Sequence, residues 1–246
     1  MMLLVLGFLT AGVAAVRGMW SPCGLSMLSS LNPVSERARG NRFWLTALWY
    51  VAGALVGGAL LGVGCAVAAS GYGRLRPAPS VTWAIVLAAA LIAVASDTAV
   101  FGRSLPDHPR QVDERWLVTY RRWLYAAGYG VQIGAGFATY IMTAAVYLVA
   151  VLAIVTGSPG AAFAVALAFG AVRGLTILVA AGAGTPERLR SAHRRIAALG
   201  TPSLWACVAL CGAIAVTAGY ALAGPLVAVA ATVAVLAALR PRTVPS

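Results

Sequence analysis

The chain has 246 residues, of which 61% are hydrophobic and 10% charged, and its formal net charge is +12. A soluble domain of this size carries about 25% charged residues. Here the polar residues cluster between long apolar blocks, which excludes an ordinary globular core and describes a polytopic helical membrane protein. Every basic residue is Arg, none is Lys, and most lie in short loops, so the charge reads as membrane orientation and not as nucleic-acid binding.

Segment one runs from about Met2 to Leu31. The first twenty residues have no basic n-region and no convincing cleavage site, and Arg17 interrupts them, so they read as a retained helix and not a signal peptide. Within this segment Arg17-Gly18-Met19-Trp20-Ser21-Pro22-Cys23-Gly24 sets a charge, a helix breaker and a thiol about where the helix crosses mid-bilayer. Pro22 lacks an N–H and clashes with the preceding turn, which predicts a kink or break near Ser21. Backbone broken at that depth needs protein or a water-filled cavity around it. Asn32-Pro33 ends the segment, and a basic loop with Glu36, Arg37, Arg39 and Arg42 follows.

Segment two spans about Phe43 to Ala69, where Gly53, Gly57, Gly58 and Gly62 form two overlapping small-xxx-small faces for close packing within the protomer. Gly71 to Ser80 is a turn, and segment three spans about Val81 to Phe101. The longest polar stretch, Gly102 to Arg122, passes through Trp116, Tyr120, Trp123 and Leu124 at helical spacing, which predicts an interfacial helix. Segment four runs from about Trp123 to Val155 and is rich in glycine at Gly128, Gly130, Gly134 and Gly136, with Gln132 among them. Gly157 to Gly160 turns the chain into segment five, about Ala161 to Ala183. Thr185-Pro186-Glu187 is a helix start with an N-cap, a proline at the first position and an acid in the first turn. The helix it opens carries Arg188, Arg190, Arg194 and Arg195 and reads as a cationic surface helix stopped at Gly200 and Pro202. Ser203 to Leu239 as a single helix would be roughly 55 Å long, nearly twice the hydrocarbon thickness. Gly219 and Gly224-Pro225 divide it into segments six and seven.

The fold class is therefore all-α: a polytopic membrane bundle of about seven transmembrane helices, six being possible, with broken helices. The chain forms one transmembrane domain, residues 1–246. With an outside N-terminus, the first, third and fifth loops and the C-terminus hold fourteen arginines against only Arg74 and Arg76 outside. That asymmetry predicts a cell-membrane protein with a cytoplasmic C-terminus.

Three charges remain inside spans, Arg17, Asp97 and Arg173. Each costs at least about 2.5 kcal/mol to insert, so each calls for a partner or an aqueous cavity. Asp97 and Arg173 are placed to pair; alternatively Asp97 caps its helix and Arg173 snorkels to the interface. Arg17 lies about 9 Å along the helix axis from Cys23 and would favour a thiolate, an anionic group or a carboxylate there. Cys65, Cys207 and Cys211 read as small buried hydrophobes. Cys207 and Cys211 share one helix face but have no further ligands, so no metal site is expected.

Ser21-Pro22-Cys23 in an apolar first helix resembles the DsbD/CcdA-type thiol–disulfide electron carriers linked to cytochrome c biogenesis. The resemblance implies an inverted three-plus-three helix repeat, here about 2–102 and 123–222, with an extra span at about 225–240. It also implies Cys23 as the reactive thiol and a thioredoxin-like or other redox partner. In that family a second Pro-Cys lies in the fourth span, whereas segment four reads Gly134-Ala135-Gly136-Phe137 at that place and has no cysteine. The alternatives are a small-solute or anion transporter on a related inverted-repeat fold, or a non-catalytic membrane subunit. For a transporter the helix-break site would comprise Arg17, Ser21, Pro22, Gly24, Gln132, Gly134 and Gly136 with Arg173. No Ser/His/Asp set, Walker loop or H-E-x-x-H is present, no cofactor is implied, and whether the protein is an enzyme stays open.

Overall fold

The computed structural model describes residues 1–100 and 115–239. The polar stretch from Arg103 to Glu114 and the terminal Arg240 and Arg242, both used in the topology argument, lie outside these residues. All regular structure among the described residues is helical, and five helices are long and apolar enough to cross a membrane. The all-α membrane bundle expected from composition is what the chain forms.

Segment one is two helices. α1 (Met2–Arg17) ends in a 3-10 turn over Gly18–Trp20, and α2 (Pro22–Ser30) begins afresh. Pro22 does not kink a continuing helix. It occupies the first position of α2, where its missing N–H costs nothing. Asn32 does the same for α3 (Pro33–Ala38): its Oδ1 accepts the Val34 and Ser35 N–H groups at 3.0 and 2.9 Å. The stretch read as a basic loop is therefore partly helical, because Asn-Pro both stops one helix and starts the next.

α4 (Phe43–Leu75) runs to Leu75, well past the expected end near Ala69, until Arg76 turns left-handed at φ 43°. α5 (Pro79–Asp97) follows after three residues. The two glycine faces of α4 serve different neighbours. A Cβ on Gly53 or Gly57 would strike the backbone of Ala127 or Val131 in α7 (Arg122–Gly134). One on Gly58 or Gly62 would strike Gly170 or Phe163 in α9 (Pro159–Leu175). α4 is thus the central post, clasped on one side by segment four and on the other by segment five.

The interfacial helix after the polar stretch shrinks to α6 (Trp116–Thr119), whose Trp116 stacks on Tyr129 at 5.8 Å. Segment four is broken like segment one. α7 stops at Gly134, Gly136 turns at φ 73°, and the helix resumes only as α8 (Ala145–Val155). After α9 the chain passes through a 3-10 turn, Thr176–Ala180, to α10 (Pro186–Ala198). Thr185 caps α10 as expected.

α11 (Gly200–Ala223) starts almost where α10 stops, and Pro202 sits in its first turn. The division between segments six and seven falls at Gly224, φ 78°, before α12 (Pro225–Ala238). Gly219 is not part of that hinge; it lies within α11, against Val227 of α12. With 14 residues α12 is about 21 Å long, short of a full crossing.

Candidate functional site

Arg173 lies on the last turn of α9 and is 3% exposed. Its guanidinium reaches the break of segment one: a Cβ on Gly18 would land on Arg173 Nη1. It also reaches the break of segment four, where Nη2 meets Thr139 Oγ1 at 3.4 Å. The guanidinium carbon lies 5.8 Å from the centre of the Phe169 ring. Nε has no hydrogen-bond partner, and no carboxylate pairs with Arg173 among the described residues. The expected alternatives for this charge, pairing with Asp97 or snorkelling to the cytoplasmic interface, are both absent among the described residues. The reason is topological: the break in segment one leaves a gap beside α9 that a long side chain fills.

Beside the guanidinium is a cavity of about 10 Å³, lined by Gly18, Gly24, Tyr50, Ile133, Arg173 and Thr176 among others. That is room for one water-sized guest. Ser21 ties together two of the wall residues, Gly18 and Gly24. The Ser21 hydroxyl donates to Gly18 O at 2.7 Å and accepts the Gly24 N–H at 3.0 Å, which closes α1 and opens α2 with one side chain. Gly24 must be glycine, because a Cβ there would meet Gly18 O and Met19 O. Cys23 is 2% exposed and packs with Met27, Tyr50 and Tyr129; none of the four cysteines is in a disulfide.

The other two charges are held elsewhere, each by its own partners. Asp97 does not cap its own helix. Its carboxylate caps the start of α8, accepting the Ala144 N–H at 2.7 Å and the Thr143 hydroxyl. Arg17 turns away from Cys23. Its Nη1 donates to Gly200 O and Ser203 Oγ, both at 2.7 Å, and its guanidinium lies over the Trp20 ring. Trp20 in turn donates to Ile196 O at 2.7 Å, so the pair staples the end of α1 to the α10–α11 junction.

Among the residues singled out in segment four, Gln132 turns back toward Gly128 O at 3.4 Å and does not line the cavity. Gly134 packs against Ala54 of α4, and Gly136 makes the turn of the break. The sequence reading missed Tyr50, Thr139 and Thr176. The first is one aromatic among several near a helix start, and the others are ordinary threonines; Thr176 follows Arg173 by three residues and donates to its carbonyl, whereas Thr139 reaches Arg173 only through the break in segment four. An Arg in an apolar span was the one signal pointing here.

No family model matches the chain, and no solved structure matches it. The chain is 31% identical to the methylamine utilization protein MauF of Paracoccus versutus over 182 residues, 72% of this chain and 64% of that protein. It is 31% identical to MauF of Paracoccus denitrificans over 179 residues, 68% of this chain and 62% of that one. It is 30% identical to MauF of Methylorubrum extorquens over 183 residues, 70% of this chain and 61% of that one. The chain thus spans less than two thirds of the length of these relatives. The similarity overturns the resemblance to DsbD/CcdA-type carriers, since MauF is not a protein of that family. The electron-carrier role and redox partner that the resemblance implied are left without support. Ser21 and Pro22 have a local reason to stand where they do, as the cap and first residue of α2, and three residues with that reason do not identify a family.

Proposed function

We propose that this chain is a multi-pass cell-membrane protein that serves methylamine utilization as an accessory, moving a small solute through the junction of its two broken helices. One observation carries the reading. One buried arginine touches both breaks, its guanidinium against Gly18 in segment one and Thr139 in segment four, an arrangement like that of discontinuous helices around a substrate at the bilayer midplane. The methylamine part follows from what the relatives are named for.

The packing pattern supports an inverted repeat of segments one to three and four to six. α1 packs on α9 as α7 packs on α4, α4 packs on α9, and α5 packs on α11. Exchanging one with four, two with five and three with six leaves these four pairs unchanged, while segment four also packs on segment five without an equal contact between segments one and two. The arginine distribution supports an outside N-terminus.

Deleting the gene from its own organism should stop growth on methylamine while sparing growth on ammonium with a sugar. The wild-type gene should restore growth, and Arg173→Gln, present in the membrane at the normal level, should not. Undiminished growth of the deletion strain on methylamine would overturn the accessory role. Full restoration by Arg173→Gln would overturn the transport part and leave a non-catalytic subunit, for which the four exposed arginines of α10 offer a docking face.

A further inference from the structure

We propose that the groove between α10, the end of α1 and the 3-10 turn after α9 holds one anionic phospholipid, its phosphate on Arg188, Ser191 and Arg195 and the start of an acyl chain on the apolar floor. The inference goes beyond the functional reading above and does not rest on it.

The sequence of α10 sets two kinds of surface along one side. Positions 188, 191, 192, 195, 196 and 199 recur at intervals of three and four, so they share a helix face. They read Arg188, Ser191, Ala192, Arg195, Ile196 and Leu199, two cations and a hydroxyl interleaved with apolar side chains. Ile196 anchors this face to the bundle by packing with Met19, Leu28 and Ala180. Trp20 fixes the approach, since its Nε1 donates to Ile196 O at 2.7 Å. The face lines a groove of about 640 Å³, and Val16, Met19, Trp20 and Val179 form the opposite wall.

Charge selects one end of the ligand. Arg188 and Arg195 are two turns apart, roughly 10 Å along the axis. Their long side chains can converge on one phosphate over the Ser191 hydroxyl, and a guanidinium meets a phosphate through two parallel N–H donors. Glu187, the one acid of α10, does not line the groove; it lies beside Thr185 and Arg190. Two cations on the wall favour a headgroup whose phosphate is not balanced by an ammonium of its own.

The floor and the location select the other end. Val16, Val179 and Leu199 are all exposed. The two spans that meet α10 here stop at Trp20 and Ala180, so the groove lies where hydrocarbon gives way to headgroups. A soluble anion would satisfy the arginines and leave the floor uncovered. A neutral hydrocarbon would cover the floor and leave the cations unmatched. A phospholipid does both.

The test is photo-crosslinking of the purified full chain in phosphatidylcholine nanodiscs that contain a trace of phosphatidylglycerol with a diazirine early in one acyl chain. Mass spectrometry maps the labelled residues. Label should fall on residues 188–199 and 16–20, and a matched phosphatidylcholine probe should label them about five-fold less. Arg188→Gln with Arg195→Gln should lower this labelling roughly ten-fold or more. Arg190→Gln with Arg194→Gln removes the same charge from exposed positions off the groove wall and should change it less than about three-fold. Ala192→Phe keeps every charge but fills the groove, and should lower labelling as the first pair does. Equal labelling by the two lipid probes overturns the proposal, because bulk lipid or protein then covers the groove. Equal loss in the two double variants overturns it as well, by showing diffuse attraction to the helix. Full labelling in Ala192→Phe, or displacement of the label by added inorganic phosphate, would do the same.

Discussion

Glu36 is fully buried although its neighbours in sequence are arginines and small polar residues. Arg39 Nη1 donates to one carboxylate oxygen at 2.8 Å, Thr46 Oγ1 donates to the other at 2.5 Å, and the Tyr125 hydroxyl lies 3.1 Å from both. One carboxylate thereby ties α3 to α4 and α7 just below the break in segment one. Its partners come from three elements, one of them 89 residues away, so nothing in the local sequence separates Glu36 from a solvated loop acid. Glu36→Ala leaves the Thr46 and Tyr125 hydroxyls buried without their acceptor and should lower unfolding free energy by about 3 kcal/mol. Arg37→Ala, at an exposed position on the same helix, should stay within about 0.5 kcal/mol. Denaturation of both variants in detergent measures the contrast, and equal losses would refute the network's role. Arg173 was the opposite case: a charge in an apolar span announces itself in any reading of the sequence, but its neighbours do not.

Helix by helix, the glycines of α4 show how one sequence pattern resolves into different packing. Gly58 meets Gly170 of α9 so closely that a Cβ would come within 2.9 Å of the Gly170 Cα, whereas a Cβ on Gly64 would meet nothing within 4 Å. Gly58→Ala should therefore force α4 and α9 apart and cost about 2 kcal/mol. Gly64→Ala should gain about 0.5–1 kcal/mol from helix propensity alone. Unfolding midpoints of the two variants read the difference directly, and a loss at both would mean that backbone approach is not what holds these helices. The overlap of two small-xxx-small faces was legible in the sequence. Which face took α7 and which took α9 was not, because glycine spacing records closeness and not identity.

Across the whole molecule, the broken segments are held by different means. Segment one breaks at Ser21-Pro22, and Ser21 caps both halves locally. Segment four breaks at Gly136, and its second half is capped from another helix by Asp97, while Thr139 in the break leans on Arg173. Residues 135–144 are thus pinned between a carboxylate of α5 and a guanidinium of α9, a tertiary arrangement with no sequence signature beyond the glycines. The proposed orientation makes a further prediction at this scale. In a cysteine-free background, a cysteine at Arg76 should react with an impermeant maleimide added outside intact cells, and one at Arg194 should not. The reverse pattern would invert the topology.

Composition and hydropathy by themselves determined the all-α membrane bundle, because apolar blocks of this length have no other way to satisfy their backbone in lipid. They also located the break in segment one, the start of α10 and the hinge at Gly224-Pro225, since proline, glycine and capping side chains act within a few residues of where they stand. Tertiary structure alone decided what the charges do. Arg17 went to the α10–α11 junction, Asp97 to the start of α8, and Arg173 to both breaks at once, against Gly18 and Thr139. A long side chain or a carboxylate finds its partner across helices, and which helices lie across from one another is settled only when the bundle packs.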